Sequence, residues 1–194
     1  MTTAAPEKTV TLATPYEGGT YRPLPGGFNA TFELTDVQDT VSAFDPDIPQ
    51  WRFTFEVPES ARESLAKKKL PALPDGVQQG WRAGVFAAAK WGRGKKNTKS
   101  VDLWESIFGM DTTAAYEAFI KKFRLPIDPR VLIGVQVTGT TQVKEAGKFP
   151  TLGNWIVTDE QLDANAARMH SFLRYAHSAE YVAYFSDNDS GLPF

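Results

Sequence analysis

Ten basic side chains lie within residues 61–100, a segment that contains only two acidic residues. The segment therefore carries a charge of +8, and the rest of the chain carries −10. Cations that pair with phosphates, together with flat rings that stack on bases, are what a protein needs to hold an unpaired nucleic-acid strand. The residues expected to do so are Lys67, Lys68, Lys69, Trp81, Arg82, Lys90, Trp91, Arg93, Lys95, Lys96 and Lys99.

The tryptophans divide between two expected roles. Trp91 stands where the chain turns polar, among glycines and basic residues, and this position favours an exposed ring. Trp51 alternates with other aromatic residues, and Trp104 falls on an apolar helix face, so both are predicted to pack in the core. A solvated lysine-rich loop is the alternative interpretation of the basic segment.

Catalytic groups are few. The two histidines, His170 and His177, are too few to close a metal site and are expected to be ordinary helix residues. Asp45 and Asp47 can hold a divalent cation, but Asp-Pro-Asp is also typical of a turn. In the glycine- and lysine-rich stretch 92–96, Lys96 stands where a phosphate-binding loop needs Ser or Thr. We therefore predict no catalytic residue, no metal site and no cofactor.

The composition limits the class of protein. The chain has 194 residues, is 42% hydrophobic and has no cysteine, so disulfide scaffolds, thiolate metal sites and cysteine catalysis are excluded. The longest apolar runs are far shorter than the ~20 residues of a membrane-spanning helix. The amino terminus lacks the basic and apolar regions of a secretory signal. We expect a soluble, cytoplasmic protein of one domain.

Two different periodicities indicate the elements that position these residues. Alternation of apolar and polar residues predicts strands at 28–37 and 51–57, and apolar density or alternation predicts further strands at 81–91, 131–143 and 149–157. Spacing of three to four residues predicts a helix from 101 to 108 and a second, capped by Asp111 or Thr112, that ends before Pro126. Thr158 and Gln161 form the capping box of a last helix, which is expected to run to about residue 185.

This order of elements predicts an α+β, mainly β fold: an OB-fold-like antiparallel barrel with a helical insertion between strands 3 and 4 and a C-terminal helix. The expected organisation has an extended lead-in at 1–27 and a nucleic-acid-binding domain at 28–157. A C-terminal helix at 158–185 and an acidic tip at 186–194 complete it.

The last nine residues read SDNDSGLPF. They resemble the acidic tip of bacterial and phage single-stranded DNA-binding proteins, which ends in Pro-Phe. The resemblance implies that Asp187 and Asp189 are the acidic positions and that Leu192, Pro193 and Phe194 anchor the tip on replication and recombination proteins. A Gly/Pro/Gln-rich linker usually precedes such a tip, whereas here the tip follows a predicted helix almost directly. The body of the chain looks more like divergent phage-encoded proteins than the cellular form.

Together these features predict a non-enzymatic, phage-encoded protein that coats single-stranded DNA in replication, recombination and repair, in the host cytoplasm and without membrane contact. Self-association into a homo-oligomer fits this hypothesis. The contacts with a 2′-hydroxyl that would distinguish RNA from DNA cannot be read from the sequence. The alternative is a virion or assembly protein that uses the same β-barrel for protein–protein contacts. A third hypothesis is a nucleic-acid-processing enzyme dependent on Asp45 or Asp47.

Overall fold

A computed structural model describes residues 20–42, 44–89, 99–143 and 149–187 of the protein. Within these ranges the fold is α+β, with a five-stranded, mostly antiparallel sheet and five α-helices. The strands are β1 (Tyr21–Arg22), β2 (Asn29–Val41), β3 (Pro49–Glu56), β4 (Gln78–Gln79), β5 (Arg82–Ala88), β6 (Gln136–Gln142) and β7 (Thr151–Ile156). The helices are α1 (Glu59–Lys69), α2 (Lys99–Phe108), α3 (Met110–Phe123), α4 (Asp159–Ala176) and α5 (Ser178–Asp187), with a 3-10 turn at Pro129–Leu132.

Five of the strands pair in the order β2-β3-β5-β7-β6, and β6 returns to β2, so the order closes on itself. All neighbours are antiparallel except β5 and β7, which run parallel and are joined at Gly84 and Thr151. The short strands β1 and β4 form a separate parallel pair. Helices α2 and α3 lie between β5 and β6, which are the third and fourth strands of the sheet, as the sequence predicts.

The alternation seen in the sequence decides which side chains the sheet buries. Phe32, Leu34, Phe53 and Phe55 are fully buried on the inner face. Helix α2 adds Leu103, Trp104 and Ile107 to the same core, and the Trp104 indole stacks on the Tyr116 ring with centroids 4.9 Å apart. Trp51 is 6% exposed and Trp104 is fully buried, which confirms that both belong to the core.

Two predicted element starts in the middle of the chain were wrong. The strand expected from residue 131 begins at Gln136, because a 3-10 turn precedes it and Gly134 has a φ of +88° that interrupts extended backbone. Helix α3 starts after Gly109, whose φ is 78°, and neither Asp111 nor Thr112 caps it.

The last helix is also shorter than expected. Its capping box at Thr158 and Gln161 is confirmed, but at His177 the backbone turns to φ −139° and ψ 54° and the helix divides into α4 and α5. The break allows α5 to fold back, so that Tyr181 packs on His170 of α4 with ring centroids 6.1 Å apart. No helix in the described ranges is long and apolar enough to span a membrane.

Candidate nucleic-acid interface

An open groove crosses the outer face of β2, β3 and β5. Its volume is about 550 Å³, which lies within the range of ligand sites in proteins. The nine residues that line it are Thr35, Asp36, Gln38, Arg52, Thr54, Glu56, Arg82, Phe86 and Phe149. The groove therefore combines two phenyl rings, two guanidinium groups, two carboxylates and three neutral hydrogen-bonding side chains.

An irregularity in β2 increases the polar lining of the groove. The pairing of β2 with β3 shifts between Leu34 and Asp36, as it does at a β-bulge. Because of this shift, the consecutive residues Thr35 and Asp36 both line the groove, whereas regular alternation would place one of them inside. Beyond the irregularity, Val37 is partly buried against the core and Gln38 again faces outward.

The two phenyl rings come from different parts of the chain. Phe86 is the outward residue of β5, between the buried residues Val85 and Ala87, and is 40% exposed. Phe149 precedes β7 and is 46% exposed. It lies across Gly84, since a Cβ atom on Gly84 would be 2.9 Å from Cε1 of the Phe149 ring. Glycine at this point of β5 therefore provides the space for an aromatic ring on the outer face of the sheet.

The charged residues of the groove differ in how they are paired. Glu56 accepts from two arginines, with Oε1 2.7 Å from Arg82 Nε and Oε2 3.0 Å from Arg62 Nη2. Arg52 donates from Nη2 to Gln38 Oε1 at 2.7 Å, and its Nε is buried without a hydrogen-bond partner among the described residues. Within the same ranges the Asp36 carboxylate has no ion pair. The Asp36 carboxylate and the Nη groups of Arg52 and Arg82 thus retain hydrogen-bonding capacity within the described part of the chain.

Of the two residues predicted at the start of β5 to bind nucleic acid, Arg82 lines the groove and Trp81 does not. A smaller hollow beside it is lined by Trp81, Tyr21 and Arg62 and shares Glu56 and Arg82 with the groove. Trp81 is half-buried, with its ring edge-on to Phe28 at 6.3 Å. Burial raises the pKa of Tyr21 above its usual 10.0, although the Arg82 charge opposes this, so the hollow contains a neutral phenol at physiological pH.

The three predicted lysines of α1 do not line the groove. Lys67, Lys68 and Lys69 are exposed, and Lys67 forms an ion pair with Glu63 one turn earlier. Lys69 donates to the Asn29 carbonyl oxygen at 2.6 Å, and its Nζ lies 5.8 Å from the Phe28 ring centroid. Lys69 thus lies beside the start of β2, and none of the three lysines lines the groove.

The remaining predicted site residues are not described. Lys90, Trp91, Arg93, Lys95 and Lys96 lie outside the described residues, as do Asp189, Leu192, Pro193 and Phe194. The backbones of Lys99 and Asp187 belong to α2 and α5, but their side chains are likewise outside the description. Their roles remain predictions.

The groove also contains residues that were not predicted to bind. Arg52 belongs to the polar face of the predicted strand 51–57, and an arginine at an outward position is a signal that could have been used. Phe86 breaks a run of small residues at an outward position of β5. Phe149 carries no comparable signal, because its place depends on the pairing of β5 with β7.

No protein-family model, curated protein or solved structure matches this chain significantly. The interpretation of the groove therefore rests on its geometry and chemistry.

Proposed function

We propose that this protein is a non-enzymatic single-stranded DNA-binding protein that holds the strand in the groove over β2, β3 and β5. One observation carries the proposal: two exposed phenyl rings and two arginines share one open face of the sheet. Single-strand-binding proteins combine aromatic rings that stack on bases with cations that contact the backbone. Each stacked base is worth about 1–3 kcal/mol, so two rings would contribute about 2–6 kcal/mol to the free energy of binding.

The strand arrangement supports an OB-fold within this proposal. The five strands pair in a closed order, and helices α2 and α3 are inserted between the third and fourth. OB-folds bind oligonucleotides on the face of their second and third strands, between the loop after strand 1 and the loop after strand 4. Here the second and third strands are β3 and β5, and Phe149 comes from the loop before β7. An OB-fold would carry its binding surface on these strands, and this supports the proposal.

The basic residues outside the described ranges extend the proposal. Lys90, Arg93, Lys95 and Lys96 directly follow β5, whose residues Arg82 and Phe86 line the groove. Because they follow β5 directly in sequence, their charges would contact phosphates of a strand that leaves the groove. Phage origin, DNA coating and the recruitment of replication and recombination proteins rest on the resemblance of the carboxyl-terminal tip.

The proposal is tested by titrating the protein with a fluorescent oligo-dT of about ten nucleotides, within the usual site size of an OB-fold. Binding is expected at low salt and should weaken as salt rises, with a slope of about −0.7 per phosphate contact. An oligo-dT duplexed with oligo-dA serves as the control and should bind more weakly. An absence of binding to single strands of every base composition at low salt would overturn the proposal.

One observation favours the second candidate, a virion or assembly protein. Val41, Phe44 and Ile48 lie at or beside the loop between β2 and β3 and are 53%, 100% and 45% exposed. Exposed apolar side chains grouped in this way mark protein contacts in many proteins. The assembly candidate predicts that Phe44→Ser lowers the oligomer mass measured by light scattering. It also predicts that the protein is found in purified particles at a fixed stoichiometry.

A further inference from the structure

The charges that line the groove cancel. Asp36 and Glu56 oppose Arg52 and Arg82, so the lining carries no net positive charge. A surface that only tracks phosphates needs an excess of cations, and an acidic side chain on it repels the backbone. The groove lining is therefore better suited to the bases of a strand than to its phosphates.

The two acidic residues are not equivalent. Glu56 is held by Arg62 and Arg82 at 3.0 and 2.7 Å, so its charge is compensated. The Asp36 carboxylate has no such partner among the described residues, although it lines the same groove. A carboxylate offers only acceptors, and a ligand seated beside it must present N–H or O–H donors.

Arg52 provides the complementary chemistry nearby. Asp36 is opposite Thr54 in the pairing of β2 with β3, and Gln38 is opposite Arg52. Asp36 and Arg52 are therefore diagonal neighbours across the two strands, with about 7–8 Å between such positions. Gln38 accepts from Nη2 of Arg52 at 2.7 Å and Nε is buried, whereas no described residue forms a hydrogen bond with Nη1. The guanidinium retains donors for a ligand.

We propose that this groove selects guanine in single strands. Guanine alone among the DNA bases has two adjacent donors, N1–H and the 2-amino group, beside two adjacent acceptors, O6 and N7. The Asp36 carboxylate accepts from the donors, and the Arg52 guanidinium donates to O6 and N7, which is its commonest contact with a base. Phe86 and Phe149 supply the stacking surface. The inference rests on the proposed function, because a base must first enter the groove.

The test measures binding of oligo-dT of about ten nucleotides in which the central base is varied. The variants carry thymine, guanine, hypoxanthine, which lacks the 2-amino group, or 7-deazaguanine, which has carbon in place of N7. The wild-type protein should bind the guanine oligonucleotide most tightly. Each analogue removes one hydrogen bond of one pair, and since a whole pair is worth about 5- to 150-fold in discrimination, binding should weaken by up to that factor.

Two substitutions assign the contacts. Asp36→Asn, which keeps one acceptor oxygen but loses the charge and the second, should reduce the difference between guanine and hypoxanthine. Arg52→Met, whose side chain has no N–H donor, should abolish the difference between guanine and 7-deazaguanine. Asp163→Asn, at an exposed position of α4, makes the same change of charge as the first variant and should leave every preference intact.

Three outcomes would contradict the inference in different ways. If all four oligonucleotides bind equally, selection is absent while the proposed function stands. If Asp36→Asn strengthens binding of all four by the same factor, Asp36 acts only by repelling phosphates, and the guanine assignment falls. If no oligonucleotide binds, the proposed function fails together with the inference.

Discussion

The phenyl ring of Phe149 lies on the backbone of Gly84, where a Cβ atom would be 2.9 Å from the ring carbon Cε1. The same glycine joins β5 to β7: its amide donates to the Pro150 carbonyl oxygen at 2.9 Å, and it pairs with Thr151. The residue that connects the two parallel strands thus also seats the aromatic ring from the loop before β7. Because Gly84 has no side chain, it can pair with β7 and leave space for the Phe149 ring that lines the groove.

Replacing Gly84 should disturb binding without removing any groove side chain. In Gly84→Val the added methyl groups displace the Phe149 ring from β5, and oligonucleotide affinity is expected to fall by up to about one stacking interaction, 1–3 kcal/mol. Fluorescence anisotropy measures the change. Gly26→Ala is the matched control, because a Cβ there meets Val143 at an ordinary 3.6 Å. Unchanged affinity in Gly84→Val would show that the placement of the Phe149 ring over Gly84 does not contribute to oligonucleotide binding.

Truncation of either groove ring tests stacking directly. Phe86→Ala and Phe149→Ala should each weaken oligo-dT binding by about 1–3 kcal/mol, while the melting temperature changes little because both rings are substantially exposed. Tyr175→Ala removes an aromatic ring that is 91% exposed on α4 and does not line the groove. This control should bind like the wild type, and equal losses in all three variants would rule out specific stacking.

The basic stretch after β5 should determine the salt dependence. Lys95→Ala combined with Lys96→Ala is expected to weaken binding to all sequences and to reduce the salt slope by up to about 1.4, or 0.7 for each lost phosphate contact. Lys67→Ala should reduce it less, because Lys67 is paired with Glu63 on α1 and lies outside the groove. The slope is obtained from titrations at several salt concentrations. An unaltered slope in the double variant would remove these lysines from the interface.

Local patterns were sufficient to predict the main strands. The alternation of Phe53 and Phe55 with polar residues gives both the strand and its buried face, because side chains of a strand alternate between the two sides of a sheet. The capping box of Thr158 and Gln161 is equally local, since both hydrogen bonds form within four residues. These features require no knowledge of the rest of the chain.

The groove could be predicted only in part, because its residues come from distant positions. Arg82 was identified from charge alone, whereas Phe149 reaches the groove through the pairing of β5 with β7, which no periodicity encodes. The bulge that turns Asp36 outward similarly depends on the register with β3. The break at His177 has the same cause, since Tyr181 and Phe185 of α5 pack on His170 of α4.

That contact between the last two helices should make stability depend on pH. His170 is 6% exposed and its Nδ1 lies 3.4 Å from the Tyr181 hydroxyl. Burial, and to a smaller degree the Arg174 charge, lowers the pKa of His170 below its usual 6.5. As pH falls from above 6.5 towards the lower folded pKa, the unfolded chain takes up a proton before the folded protein does. The free energy of unfolding should therefore decrease, by about 1.4 kcal/mol for each unit by which the pKa is lowered.

Urea unfolding of the wild type and of His170→Gln at several values from about pH 8 to pH 5 separates this contribution from other titrating groups. His170→Gln is expected to be less stable at the alkaline end, because it loses the bond to Tyr181, and to show a smaller decrease on acidification. His177→Gln is the matched control, since it leaves the buried imidazole of His170 in place and should retain the decrease attributable to it. Identical pH profiles for the wild type and His170→Gln would mean that protonation of His170 does not lower the free energy of unfolding. The contact of α4 with α5 would then have to open in the folded protein.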